Sequence, residues 1–165
     1  LSGIDTAPLV GHLAAWNYFM SEDTPENEAF IKTWHAFTGD TKRVTNDPME
    51  AHYIGFNMWV KAVEKAGTTD VDKVIEAMVG VEVPNLTSGT STMLPNHHIT
   101  KPVLIGEIQD DGQFLTVSQT DDLVPGDAWS DYLESSKNLI GDWTAPINCG
   151  NYNTETKSCV GVTVE

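Results

Sequence analysis

The sequence contains no long run of apolar residues. Its uninterrupted apolar stretches are a handful of residues each, whereas a helix that crosses a bilayer needs about 20. The sequence therefore predicts no transmembrane helix. The opening residues also lack the basic region of a secretory signal peptide and an initiator methionine. We expect Leu1 to be either a processed end or an interior residue of a longer precursor.

Basic residues are few. Lys and Arg number 9 against 24 Asp and Glu, which gives a formal net charge of −15. A surface of this sign repels the phosphates of nucleic acids and anionic lipid head groups. We expect no nucleic-acid partner. The acidity either maintains solubility or serves a specific cation-binding role.

The common catalytic motifs are absent from the sequence. It contains no G-x-S-x-G elbow, P-loop, G-x-G-x-x-G, H-E-x-x-H or C-x-x-C, so the usual nucleophile, phosphate and zinc arrangements lack their residues. In "PNHHI", His97 and His98 would point to opposite faces of an extended segment and could not chelate one ion together. The sequence predicts a protein that is not an enzyme, with no cofactor and no metal site, and with these histidines at the surface or hydrogen-bonded.

Cysteine occurs twice, at Cys149 and Cys159, close together near the end of the chain. A pair that encloses a short polar loop, with no further ligand nearby, favours a disulfide over a zinc site. Disulfides persist outside the reducing cytosol. The alternative is a pair of free thiols in a cytosolic protein.

Three helices are predicted after an opening apolar strand that we expect to be buried on both faces. The first follows Thr24 and Pro25 and stops at Gly39. The second has Asp47 as its cap and Glu50 in a capping box, and its many apolar residues predict packing on two sides. The third begins near residue 70 and ends at Gly80.

A hairpin and a further helix complete the pattern. Asp111 and Gly112 separate two β-prone runs, which is typical of a tight primed turn. The residues after it predict an amphipathic helix that uses Trp129, Tyr132, Leu133, Leu139 and Ile140. The opening strand has no evident neighbour to pair with, so the core looks incomplete. These elements predict part of a larger α/β protein.

Candidate ligand-binding residues lie along the opening strand and at its end. His12 sits among apolar residues, where its imidazole needs either a hydrogen bond in the core or a ligand. Trp16, Asn17 and Tyr18 follow at the carboxyl end of the strand, where open α/β sheets collect ligands. Core packing is the alternative for these residues.

Four stretches together resemble the C-terminal portion of the substrate-binding proteins of bacterial urea ABC transporters. They are "GHLAAWNYFMSEDTPENEAF", "RVTNDPMEAHYIGFNMWVKAVEKAGTTDVDKV", "PNHHITKPVLIGEIQDDGQF" and "CGNYNTETKSC". The T-N-D-P-M-E-A and N-H-H elements distinguish this family from the leucine/isoleucine/valine-binding and amide-binding relatives, with which the chain shares only the A-G-(S/T)-T-D helix ending.

The resemblance implies an α/β, two-lobed, Rossmann-like type I periplasmic-binding-protein fold, of which this chain is the C-terminal part. Residues 1–37 would belong to the second lobe, 38–100 to the first lobe and 101–120 to a hairpin that crosses back. Residues 121–165 would form a C-terminal helix and a disulfide-closed tail. A missing N-terminal lobe of the same protein would complete the structure.

The implied function is capture of urea outside the cytoplasm, in the periplasm or cell envelope, and delivery to ABC permease subunits in the membrane. A receptor for short-chain amides or branched-chain amino acids is the alternative, and an amidohydrolase is the alternative of another class. The ligand-binding candidates are His12, Trp16, Asn17, Tyr18, Asp47 and Glu50. For Asp47 and Glu50, helix capping is the competing explanation.

Overall fold

The computed structural model describes residues 3–126, 139–142 and 144–160. The chain divides into two units, Leu1–Gly126 and Asp127–Glu165. In the first unit a 3₁₀ helix at Ala7–Leu9 precedes β1 (Leu13–Trp16), α1 (Pro25–Thr38), α2 (Asp47–Ala66), α3 (Val71–Met78), β2 (Glu82–Pro84), β3 (Thr90–Thr92), β4 (Leu104–Ile108) and β5 (Phe114–Gln119). The second unit contains β6 (Leu139–Asp142), β7 (Cys149–Asn153) and β8 (Ser158–Cys159).

The ends of the helices follow their local sequence. Thr24 caps α1, because its hydroxyl accepts a hydrogen bond from the Asn27 backbone N–H at 3.1 Å. Gly39 ends the same helix with φ 66°, a left-handed conformation that glycine adopts without a Cβ clash. Asp70 caps α3 through the Lys73 N–H. These boundaries confirm the predicted starts of α1 and α3.

The cap of α2 differs from the prediction. Asn46, in an extended conformation, accepts the Met49 N–H at 3.0 Å through its side chain, while Asp47 is already the first helical residue. The prediction that Asp47 caps the helix was wrong, because the Asp47 carboxylate is engaged elsewhere. It accepts the Asn17 backbone N–H.

Only one side of α2 is fully covered by the described residues. Ile54, Met58 and Ala62 are buried and share a core with Val74 of α3 and Val83 of β2. Tyr53, Phe56 and Trp59 lie on the other apolar stripe and are exposed. The second stripe is covered only in part, because the Tyr53 ring packs on Phe30 of α1 with centroids 4.8 Å apart. The expectation of packing on two sides is therefore wrong for Phe56 and Trp59 in the described part of the chain.

Among the described residues, β1 lies at the edge of a three-stranded antiparallel sheet with the order β1-β4-β5. Its register pairs Leu13 with Glu107 and Trp16 with Leu104. Leu13 is 63% exposed and Trp16 48% exposed. Both expectations for this strand were wrong: it has a neighbour within the sequence, some 90 residues away, and it is not buried on both faces.

The turn between β4 and β5 is one residue longer than predicted. The Gly112 N–H donates to the Gln109 carbonyl at 3.0 Å, and the Gln109 N–H donates to the Gln113 carbonyl at 2.9 Å. Gly112 has φ 77°, whereas Asp111 is not among the described residues with positive φ. The prediction of a hairpin at this point is confirmed, but a three-residue loop with a left-handed glycine replaces the primed turn.

The second unit is a small antiparallel sheet with the order β6-β7-β8. Cys149 and Cys159 form the predicted disulfide, with their Cα atoms 6.3 Å apart. Leu139 and Ile140 lie in β6, so the prediction that they belong to an amphipathic helix was wrong. Trp129, Tyr132 and Leu133, the other residues of that predicted helix, lie outside the described residues. None of the helices that the structure describes has the length and apolarity needed to cross a membrane.

Candidate functional site

A cavity of about 440 Å³ lies where the end of β1, the residues before α2 and the β4–β5 turn meet. Its apolar wall is formed by Trp16, Phe19, Met20, Val44, Pro48 and Phe114. Its polar side chains are those of Tyr18, Thr45, Asn46, Asp47 and Gln113. An apolar pocket with a few converging polar groups is the usual form of a small-molecule site.

The aromatic wall is closely packed. The Phe19 and Phe114 rings stack with centroids 4.4 Å apart and planes 21° apart. Phe19 packs over Gly106, where an added Cβ would lie 2.5 Å from the Phe19 ring. Trp16 is half-exposed, so its indole is accessible beside this pair. Flat apolar surfaces thus cover one side of the cavity.

Asp47 is the only ionisable carboxyl among the described residues that line the cavity, and this lining contains no Lys, Arg or His. Its Oδ2 accepts the Asn17 backbone N–H at 3.0 Å. The carboxylate is therefore fixed by the chain segment that follows β1. Such a lining favours a ligand with N–H donors and disfavours an anion.

Tyr18 lines the cavity but is almost completely buried, at 1% exposure. Its hydroxyl donates to Asn27 Oδ1 at 2.7 Å and lies 2.7 Å from Thr45 Oγ1. Burial raises the pKa of Tyr18 to about 12, a shift that the hydrogen bond with Thr45 opposes. The Tyr18 hydroxyl is thus occupied by the protein itself.

Asn17 and Glu50 lie beside the cavity and bond within the protein. The Asn17 side-chain N–H donates to the Pro102 carbonyl at 2.6 Å. The Glu50 carboxylate is completely buried and pairs with the Lys101 ammonium. Burial raises the pKa of Glu50, while the charge of Lys101 and its hydrogen bond act in the opposite direction.

His12 lies just before β1, at the end of the strand away from Trp16, and is exposed. Its backbone carbonyl accepts the Ile108 N–H at 3.0 Å. The structure therefore brings Trp16, Tyr18 and Asp47 together around the cavity, with Asn17 and Glu50 adjacent to it and His12 apart. A ligand role for any of the six residues stays a prediction.

Sequence reasoning missed the Phe19–Phe114 pair and Gln113. Phe19 directly follows the predicted site residues, and Phe114 begins the second strand of the predicted hairpin. The alternation in the hairpin marked Phe114 as a strand residue. Its contact with Phe19 follows only once β1 is known to pair with β4.

The two adjacent histidines are hydrogen-bonded at the surface, as predicted. The His97 Nε2 lies 3.5 Å from the Ile75 carbonyl, and the His98 Nδ1 lies 3.3 Å from the Asn96 carbonyl. Both side chains are exposed. Within the described ranges, no group of three or more His, Cys, Asp or Glu is arranged to hold a metal ion.

The architecture of the first unit is that of the type I periplasmic binding proteins, an α/β fold of which this chain contains a part. Residues 1–135 match the family described as periplasmic binding protein domain. This chain belongs to that family.

Two curated relatives indicate the range of the similarity. A Geobacillus stearothermophilus protein named limonene hydroxylase is 31% identical over 115 residues, 70% of this chain and 21% of that protein. The Leu/Ile/Val-binding protein homolog 6 of Brucella abortus (strain 2308) is 28% identical over 108 residues, 64% of this chain and 27% of that protein. The chain thus spans 21% and 27% of the lengths of these two curated relatives.

A solved structure extends the comparison. It is the solute-binding protein of an ABC transporter from Rhodopseudomonas palustris HaA2, in complex with p-hydroxybenzoic acid. This chain is 27% identical to it and superposes with a TM-score of 0.59, over 69% of this chain and 32% of that one.

Proposed function

We propose that this chain is part of the solute-binding protein of an ABC transporter, which captures urea outside the cytoplasm and delivers it to permease subunits in the membrane. The observation that carries the proposal is the cavity at the end of β1, in a chain whose residues 1–135 match the periplasmic binding protein domain. The rest of the protein, including an N-terminal lobe, would supply the other walls of the site.

The charge of the cavity lining supports a ligand with N–H donors. Asp47 contributes a carboxylate, and the described lining offers no cation to a ligand carboxylate. Benzoates, which include the ligand of the Rhodopseudomonas relative, would bring a negative charge toward Asp47. Urea is neutral and planar, with four N–H donors, so its N–H groups can pair with Asp47 while its faces lie against Trp16.

Short-chain amides and branched-chain amino acids are the alternative ligands. An amide shares the planar N–H donor of urea. A branched-chain amino acid would place its ammonium at Asp47 and its side chain on the apolar wall, and the similarity to the Brucella protein supports it. Its carboxylate would then need a partner from the rest of the protein.

Enzymatic functions receive less support. The match to the protein named limonene hydroxylase covers 21% of that protein, so its name describes a chain several times larger than the matched region. An amidohydrolase acting on urea would need an activated nucleophile or a metal cluster. Release of ammonia from urea above the uncatalysed rate would favour it over a binding protein.

Calorimetric titration of the full-length protein would test the proposal. The ligands would be urea, acetamide, leucine and 4-hydroxybenzoate. We expect saturable binding of urea and none of 4-hydroxybenzoate. Tight leucine binding without urea binding would overturn the urea assignment and leave an amino-acid receptor.

A matched pair of variants would test the role of Asp47 in the same titration. We expect Asp47→Asn to weaken urea binding by roughly 10- to 100-fold, because one charge-assisted hydrogen bond contributes about 1.5–3 kcal/mol. Asp72→Asn removes an equal charge from the exposed first turn of α3 and should leave the affinity unchanged. Equal affinities of the two variants would remove Asp47 from the site.

A further inference from the structure

The first turn of α2 is connected to the segment that leaves β1. The Asn17 backbone N–H donates to Asp47 at 3.0 Å, and the Asn17 side chain donates to the Pro102 carbonyl at 2.6 Å. Pro102 is buried and lies two residues before β4. One asparagine thus joins the end of β1, the start of α2 and the segment that enters β4.

A second connection lies three residues further along α2, still in its first turn. Glu50, completely buried, pairs with Lys101, whose side chain is 11% exposed. The Lys101 backbone in turn exchanges two hydrogen bonds with Val124, at 3.0 and 2.8 Å. The segments around residues 17 and 101 therefore bond directly to the first turn of α2. The segment around residue 124 is linked to it through Lys101.

These contacts connect two parts of the first unit, a sheet and a helical core. On one side is the β1-β4-β5 sheet, and on the other is the core of α2 with α3 and β2. The cavity has walls from both parts. Trp16 and Phe114 belong to the sheet, and Asn46, Asp47 and Pro48 belong to the start of α2. The distance between the two parts therefore sets the width of the cavity.

We propose that Glu50 and its partner Lys101 are positioning residues that fix the start of α2 against the β4 segment and thereby set the separation of the two walls of the cavity. The inference rests on the proposed function. Glu50 acts on the ligand through Lys101 and the β4 segment, and does not contact the ligand. Loss of the Glu50–Lys101 pair would let the two walls shift relative to each other.

The test uses spin labels on the full-length protein. Cysteines replace Ser118 on β5 and Lys73 on α3, both exposed, and the Cys149–Cys159 disulfide is kept oxidised. Electron-electron double resonance then gives the distance distribution between the labels, and titration gives the affinity for urea. The variants are Glu50→Gln and the double variant Glu50→Gln/Lys101→Met, which leaves no unpaired buried charge. Glu64→Gln, on the exposed side of α2, is the control.

We expect the double variant to widen or shift the distance distribution without ligand and to weaken urea binding roughly fivefold or more, while Glu64→Gln changes neither. A double variant with a lower melting temperature but the wild-type distances and affinity would overturn the inference, because the pair would then only stabilise the fold. A wild-type protein that binds none of the four ligands would overturn the proposed function instead. In that case, only the distance distributions would test the inference, without the affinities.

Discussion

The Tyr18 hydroxyl donates a hydrogen bond to Asn27 Oδ1 at 2.7 Å, in a place where both side chains are buried. Because the single phenolic proton is used in this bond, Thr45, whose Oγ1 is also 2.7 Å from the hydroxyl, must be the donor in the second bond. The Asn27 side-chain amide donates to the Met20 and Glu22 carbonyls at 3.0 and 2.7 Å. This network fixes the loop that forms one side of the cavity.

Replacement of Tyr18 by Phe should destabilise the protein. The change leaves Asn27 Oδ1 and the Thr45 hydroxyl buried without this partner, which costs about 1–3 kcal/mol. Tyr53→Phe is the control. Because Tyr53 is 43% exposed, its replacement should change the free energy of unfolding by less than about 0.5 kcal/mol. Unfolding is best followed with heat or guanidinium, since urea is a candidate ligand. Equal effects of the two changes would show that the network adds no stability.

The stability contributed by Tyr18 should depend on pH in the alkaline range. Its pKa is about 12 in the folded protein, against about 10 in an unfolded chain. Between these values the unfolded state loses the proton first, so the free energy of unfolding falls as pH rises from about 10 to about 12. Over this window the difference in free energy of unfolding between the wild type and the Tyr18→Phe variant should shrink by about 1–3 kcal/mol. A difference that stays constant from pH 9 to pH 12 would contradict the buried, protonated phenol.

The helices were the most predictable part of the fold, because their ends depend on neighbouring residues. Thr24 and Gly39 bound α1 through hydrogen bonds that span three or four residues. The hairpin was found for the same reason, although its turn geometry was not. The disulfide was also predictable, because Cys149 and Cys159 are ten residues apart with no competing cysteine.

Long-range pairings were less predictable. The pairing of Trp16 with Leu104 and the bond of Lys101 to Glu50 join residues far apart in the chain, and no local pattern specifies such a partner. Because the Asp47 side chain bonds to Asn17, the cap of α2 falls to Asn46. The candidate site was accordingly identified in part: Trp16 and Asp47 line the cavity, but its Phe19–Phe114 wall depends on how β1 pairs.

Gly106 should be intolerant of a side chain. A Cβ at this position would lie 2.5 Å from the Phe19 ring and 3.1 Å from the Phe114 Cβ, so Gly106→Ala must displace the Phe19 ring from its present position. Overpacking of this kind costs about 1–3 kcal/mol. The Gly106→Ala protein should also lose affinity for its ligand, because the displaced ring forms part of the wall of the cavity. Thermal unfolding and ligand titration on the same samples measure both effects.

Gly55 provides the matched control for this substitution. It lies within α2 and has no heavy atom within 4 Å of an added Cβ. Gly55→Ala should therefore stabilise the protein by up to about 1 kcal/mol, through the higher helix propensity of alanine. A Gly106→Ala variant as stable as Gly55→Ala would contradict the close packing of Phe19 against β4.

The Cys149–Cys159 disulfide should determine the local stability of the β7–β8 hairpin. The strands pair over only two positions, Tyr152 with Cys159 and Asn153 with Ser158. A cross-link between residues ten apart contributes about 3 kcal/mol in the chain-entropy model. Reduction should therefore accelerate amide hydrogen exchange in residues 149–160 by roughly 100-fold. The double variant Cys149→Ser/Cys159→Ser should exchange at the rate of the reduced protein and show no further change with reductant. Unchanged exchange in both would mean that the hairpin is stable without the cross-link.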